Sequence, residues 1–213
     1  MKFNTDYSAT TTDYYLVETV KQGITLHYTA GSTASGAIST LCQQDMVCVP
    51  FVVDKDGTVY QLFNPKYYAF HLGIRGAAEG YKKGHFDKKF LSVEIVNEGP
   101  LKKVGSDYLW WPKNWGAKYT GKVVNYSFRG FDYHAAFPEV QIQAVCELIK
   151  HLCTEFNISK SLVPKDKREL LDLDYMDTFE GICSHVNFRW DKWDIPGEPV
   201  FPWDRLQKYL EDK

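Results

Sequence analysis

Short runs of alternating apolar and polar residues, interrupted by one long stripe of helical period, set the frame of this chain. Gly23-Ile24-Thr25-Leu26-His27-Tyr28-Thr29 alternates, is rich in β-formers, and ends in the turn-like Ala30-Gly31-Ser32, which predicts a strand. Val49-Pro50-Phe51-Val52-Val53 and Thr58-Val59-Tyr60-Gln61-Leu62-Phe63 flank Asp54-Lys55-Asp56-Gly57. An Asp-Gly pair between two such runs predicts a hairpin. Pro50 has no N–H to give a ladder, so its strand is an edge strand or starts there. Residues 90–96 are apolar apart from Ser92 and Glu94 and predict a further strand, as does Gly181-Ile182-Cys183-Ser184. Over 138–156, Val140, Ala144, Val145, Leu148, Ile149 and Leu152 form one apolar stripe, with Pro138 suited to the first helical turn. A short helix is expected over 35–44, with Ser35 as its N-cap, and another over 202–210. Strands interleaved with helices predict an α/β domain: a mixed central β-sheet flanked by helices.

Other stretches lack a clean period. Residues 1–22 read as a lead-in arm with a short helix or strand near 14–20, and 64–89 as an irregular segment carrying His71 and His85. Residues 160–178 are charged and loop-like. The segment 99–136, with Trp110, Trp111 and Trp115, reads as an insertion or surface excursion within one domain spanning 1–213. Its tryptophans suit a glycan-binding wall or core and lid packing equally well.

Composition narrows the function classes. A hydrophobic fraction of 44% with 15% aromatic residues supports a sizeable core and excludes a disordered chain. A formal net charge of −2 gives no electrostatic case for nucleic acid or an anionic membrane. No apolar run approaches the roughly 20 residues that span a bilayer. Residues 1–15 are polar and lack the basic-then-apolar profile of a signal peptide, so the expectation is a monomer made and kept in the cytoplasm unless another route releases it. The five cysteines, an odd number without a CxxC pair, read as reduced thiols. Cys146 and Cys153, seven apart, share a helix face and are expected in the core.

The densest polar chemistry lies in Ser184-His185-Val186-Asn187-Phe188-Arg189-Trp190-Asp191-Lys192-Trp193-Asp194, which runs from a strand to Ile195-Pro196-Gly197. His27 and His185 stand at the carboxyl ends of strands, where sites gather in open α/β sheets. Two histidines and a carboxylate form a ligand set for catalytic zinc, with a fourth position left for water. Each histidine taken singly also fits an ordinary hydrogen-bonded structural role. Asp191, and Cys183 two residues before His185, are rival ligands, and an aspartate before Pro-Gly also suits a turn.

Five motifs in order carry a resemblance: His27-Tyr28-Thr29-Ala30-Gly31, Asp56-Gly57-Thr58-Val59-Tyr60-Gln61, Phe70-His71-Leu72-Gly73, Ser92-Val93-Glu94-Ile95-Val96-Asn97, and His185 with Lys192-Trp193-Asp194-Ile195-Pro196-Gly197 and Phe201-Pro202-Trp203. Together they resemble the zinc-dependent N-acetylmuramoyl-L-alanine amidases, the type that includes phage amidase lysozymes and peptidoglycan recognition proteins, over roughly residues 20–210. The resemblance implies a mixed sheet with Zn2+ in a groove, held by His27, His185 and Asp194. It implies Lys192 as the stabiliser of the oxyanion and Glu94 as the residue that orients or deprotonates water, with Glu98 in reserve should the strand be offset. It sets His71 on the groove wall for substrate contact. The tyrosine that some members use falls at Val49-Pro50 here and is absent. The implied substrate is peptidoglycan or a muropeptide, cut between N-acetylmuramic acid and L-alanine, in a lysin released to act on the wall, a cytoplasmic recycling enzyme or an exported lytic effector. The alternatives are an inactive peptidoglycan-binding module and an amidase for another wall amide.

Overall fold

The computed structural model describes residues 1–74 and 80–212. In chain order its elements are β1 (Gly23–Tyr28), α1 (Ala34–Leu41), β2 (Phe51–Val53), β3 (Val59–Gln61), α2 (His85–Lys89), β4 (Phe90–Ile95), β5 (Pro100–Val104), β6 (Asp107–Trp110), α3 (Pro112–Trp115) and β7 (Ala117–Tyr119). They continue with β8 (Val123–Phe128), β9 (Phe131–Ala135), α4 (Glu139–Glu155), α5 (Leu173–Thr178), β10 (Gly181–Ser184) and α6 (Trp203–Glu211).

Five strands form the central sheet in the order β10-β1-β4-β2-β3. β1 runs parallel to both β10 and β4, and β4 is parallel to β2. Only the β2–β3 hairpin is antiparallel, closed by the Asp-Lys-Asp-Gly turn with Gly57 at φ 86°. β1, β4 and β10 are buried along their whole length, as parallel strands covered on both faces must be. One face carries Ile24, Leu26, Tyr28, Leu91, Val93, Ile95 and Ile182 and packs on α4 and α6 in a single apolar cluster. The other face meets α1, α2 and the segments around them in two smaller clusters.

Several expectations shift in detail. Helix α1 is capped by Thr33, whose side chain accepts the Gly36 N–H, not by Ser35. Pro138 is the N-cap of α4 and stands one residue before its first turn. Val140 points outward, 53% exposed, over the Gly57 turn, and Gln141 takes its place inside. The Gln141 amide donates to the carbonyls of Val53 and Val96, tying helix to sheet edge where an apolar side chain could not. Cys146 and Cys153 lie in the core as expected. The arm forms isolated bridges, Asn4 to Tyr60 and Tyr15 to Tyr68, in place of a helix or strand of its own. Cys42 and Cys48 face each other with Sγ atoms 2.9 Å apart.

The main departure is 99–136. It builds a second, antiparallel sheet of five strands in the order β7-β6-β5-β9-β8. Its strands are short and mostly half-exposed. The β8–β9 hairpin turns on Arg129-Gly130, both at positive φ (44° and 87°), as two-residue type I′ loops require.

Candidate functional site

Strand register brings the polar residues together. Leu26 pairs with Ser184 and His27 with Glu94, so His185, His27 and Glu94 form one row across the carboxyl ends of β10, β1 and β4. The alternation of β1 turns His27 away from the face that buries Leu26 and Tyr28. Beyond β10 the chain enters a 3-10 turn over His185–Asn187, fixed by reciprocal bonds between Ser184 and Asn187. The Asn187 amide also donates to the Lys167 and Leu170 carbonyls, which locks that turn against the preceding loop. Asp194 is brought back to it by a bond from Val186 N–H to its carbonyl.

The three expected ligands converge. His27 Nδ1 lies 3.0 Å from His185 Nδ1 and 3.1 Å from Asp194 Oδ2, and His185 Nδ1 lies 3.0 Å from the same oxygen. All three residues are buried, and they are the one such group among the described residues that could hold a metal ion. Their chemistry fits a cation. His185 Nε2 is 2.9 Å from the Leu72 carbonyl, which can only accept, so its proton sits there and Nδ1 is left with a lone pair. Together with Nδ1 of His27 and the carboxylate, that makes a triangle of acceptor atoms. Zinc bonds of about 2.0–2.1 Å at tetrahedral angles need ligand separations of about 3.3 Å, close to those observed.

Electrostatics follow from this crowding. Burial, and then the neighbouring His185, push His27 down to about 4. Glu94 is pushed up to about 8 by burial and then by the charge of Asp194, with Lys192 pulling the other way. Its Oε2 is buried without a hydrogen-bond partner among the described residues. Lys192 is half-buried and forms no side-chain ion pair among the described residues, and its charge reaches both His27 and Glu94.

The rivals lie elsewhere. Cys183 faces Thr25 and the Ile24 carbonyl, and burial drives its thiol up. Asp191 is held by Arg189 at 2.9 and 2.5 Å. Glu98 is bound to Lys55 at 2.5 Å, past the end of β4. His71 departs from its expected place on the groove wall. Its side chain is 4% exposed, with Nδ1 3.0 Å from His27 Nε2 and Nε2 3.2 Å from the Phe90 carbonyl. Behind it the structure leaves a cavity of about 10 Å³, at the lower limit for one water.

Sequence reasoning missed Arg129. From the β8–β9 turn its guanidinium donates to the carbonyls of Arg189 (2.9 Å), Lys192, Glu169 and Val186 (both 3.4 Å), so it fastens the loop that carries Lys192 and Asp194. Trp193 completes the contact: its Nε1 donates to the Arg129 carbonyl and its ring meets Phe131, on which Trp115 stacks. The signal was present, since Arg129-Gly130 sits between two runs rich in β-branched and aromatic residues. Trp111, 54% exposed, reaches from the second sheet to the Ala30 carbonyl at the exit of β1.

Residues 18–198 match the family model described as N-acetylmuramoyl-L-alanine amidase. Among solved structures the chain is similar to the E. coli N-acetylmuramyl-L-alanine amidase AmiD, in complex with anhydro-N-acetylmuramic acid-L-Ala-D-gamma-Glu-L-Lys. The identity is 19% and the TM-score 0.54, with 92% of this chain and 59% of that one covered. The catalytic domain of XlyA aligns at 16% identity and TM-score 0.55 over 99% of both chains. The Staphylococcus aureus hydrolase AmiA, in complex with its ligand, aligns at 14% and 0.55 over 99% of this chain and 82% of that one. The chain thus spans about three-fifths of AmiD. At these identities the structures share the fold. No curated protein sequence matches the chain.

Proposed function

Because the chain belongs to the N-acetylmuramoyl-L-alanine amidase family, we propose that it hydrolyses the muramoyl–L-alanine amide of peptidoglycan or its fragments with a zinc ion held by His27, His185 and Asp194. It is a peptidoglycan amidase of the mixed α/β fold. The observation that supports the zinc reading is the convergence of His27 Nδ1, His185 Nδ1 and Asp194 Oδ2 at 3.0–3.1 Å, with the His185 proton held on Nε2 by the Leu72 carbonyl. Zinc bound there would lower the pKa of water to about 7 and polarise the scissile carbonyl.

The protein's own groups supply the rest. Glu94 Oε2, buried and without a hydrogen-bond partner among the described residues, takes the proton from the attacking water and returns it to the leaving amine nitrogen. Burial raises the proton affinity of that carboxyl, which favours uptake of the water proton. Lys192 Nζ holds the negative charge that develops on the carbonyl oxygen. Substrate is expected as polymer or soluble muropeptide, and a released lysin is the setting we favour. No helix among the described residues is long and apolar enough to cross a membrane.

The test is digestion of a defined muropeptide by zinc-loaded protein, followed by mass spectrometry. Release of intact stem peptide with free L-alanine N-terminus supports the reading. Cleavage at another amide overturns the bond assignment, and zinc-loaded protein that binds but never cleaves would make it a binding module.

A further inference from the structure

His71 and Leu72 are adjacent in sequence, and each touches a different metal-binding histidine. The His71 ring accepts from His27 Nε2 at 3.0 Å, and the Leu72 carbonyl accepts from His185 Nε2 at 2.9 Å. Both backbone N–H groups of this pair donate to one oxygen, Asp87 Oδ1, at 2.7 and 3.0 Å. Asp87 is itself buried, on α2, immediately before β4.

The direction of the bonds through His71 is fixed by its far end. His71 Nε2 faces the Phe90 carbonyl at 3.2 Å, an acceptor with no proton to give. The proton is therefore on His71 Nε2, and its Nδ1 is an acceptor. His27 must then donate from Nε2, and its Nδ1 carries a free lone pair. The other carboxylate near His71, Asp87, stands 4.0 Å from Nε2, beyond hydrogen-bond reach. The chain of donors thus runs His27 to His71 to Phe90, while a separate bond sets His185.

We propose that the dipeptide His71-Leu72, anchored by Asp87, is a tautomer clamp that forces both His27 and His185 into the Nε2-protonated form and aims their Nδ1 lone pairs at one point. Its value for zinc rests on the zinc reading above; the tautomers themselves do not. His71 is a positioning residue, in place of the substrate contact that the resemblance implies. Groups that hydrogen-bond a ligating imidazole in this way typically change metal affinity by about 10–100-fold when removed.

Long-range 1H–15N spectra of metal-free protein, at a pH where the rings are neutral, read each proton's position directly. His27, His71 and His185 are each expected with the proton on Nε2. A proton on His27 Nδ1 in the wild type overturns the clamp, whether or not any variant folds. His71→Leu should redistribute the His27 proton and raise the zinc Kd, by chelator competition, about 10–100-fold. His71→Asn, whose Oδ1 lies near the place of Nδ1, should return the Kd to within a few-fold of wild type. A folded His71→Leu protein with wild-type tautomers and unchanged Kd also overturns the proposal. If the wild type binds no zinc, the functional reading fails while the spectra still decide the clamp.

Discussion

The two sheets of this protein divide the labour of one site. The central sheet is parallel apart from the β2–β3 hairpin, buried on both faces, and carries the residues proposed for the chemistry: His27, Glu94 and, just past β10, His185. The second sheet is antiparallel and half-exposed. It contributes no expected ligand or proton carrier, yet it reaches the site through Arg129, whose carbonyl accepts from Trp193 of the site loop. A parallel sheet can set side chains in register across strands, as it does for His27 and Glu94. It cannot hold a loop that leaves its edge. Asp194 and Lys192 are on such a loop, and the carbonyls of that loop end on the Arg129 guanidinium.

If this division is right, substitutions in the central sheet should remove function and those in the second should degrade it. The largest effect is expected from His27→Ala, which should lose both stoichiometric zinc and measurable turnover, as checked by elemental analysis and muropeptide digestion. Glu94→Gln should keep zinc and lower kcat by about 10²–10⁴-fold, the usual contribution of general acid–base catalysis. Near-normal turnover in that variant would move the proton transfer to another group. Lys192→Met should lower kcat by about 10²–10³-fold with little change in KM, as loss of an oxyanion contact does.

The second sheet was the part least legible in the sequence, and the reason is physical. Strands buried on both faces, such as β1 and β4, need unbroken apolar character, so a lone His27 or Glu94 in them stands out. Strands β6, β7 and β8 bury only part of their surface and mix Lys, Tyr, Asn and Trp, so alternation gives a weak signal. The family resemblance carried His27, His185 and Asp194 to the same point without any geometry. It could not see His71 turned inward, because that orientation depends on Asp87, 16 residues downstream on α2. The turn at Arg129-Gly130 was legible, but the role of Arg129 was not: its partners are backbone carbonyls 40–63 residues away, which no side-chain pattern records.

Smaller effects sharpen the comparison. Arg129→Ala should leave the central sheet intact while loosening the 189–194 loop. We expect kcat to fall about tenfold and zinc to exchange faster, consistent with losing hydrogen bonds to a charged donor worth about 1.5–3 kcal/mol each. Arg129→Lys should recover only part, since one ammonium cannot reproduce the planar fork. A further effect concerns pH. Glu94 rises from 4.5 to about 8 on folding, so the metal-free folded state holds a proton that the unfolded state releases in that window. Wild-type stability should therefore fall as pH rises from about 4.5 to about 8, relative to Glu94→Gln, by urea midpoints in chelator. Parallel midpoints for the two proteins across that window would mean Glu94 is solvated.

Diffraction from zinc-soaked crystals, with anomalous differences collected on either side of the zinc edge, goes to the centre of the matter. A single strong peak should lie about 2.0–2.2 Å from His27 Nδ1, His185 Nδ1 and an Asp194 carboxylate oxygen together. A peak bound elsewhere, or none with those three side chains still in contact, would contradict the zinc site and the hydrolytic role built on it.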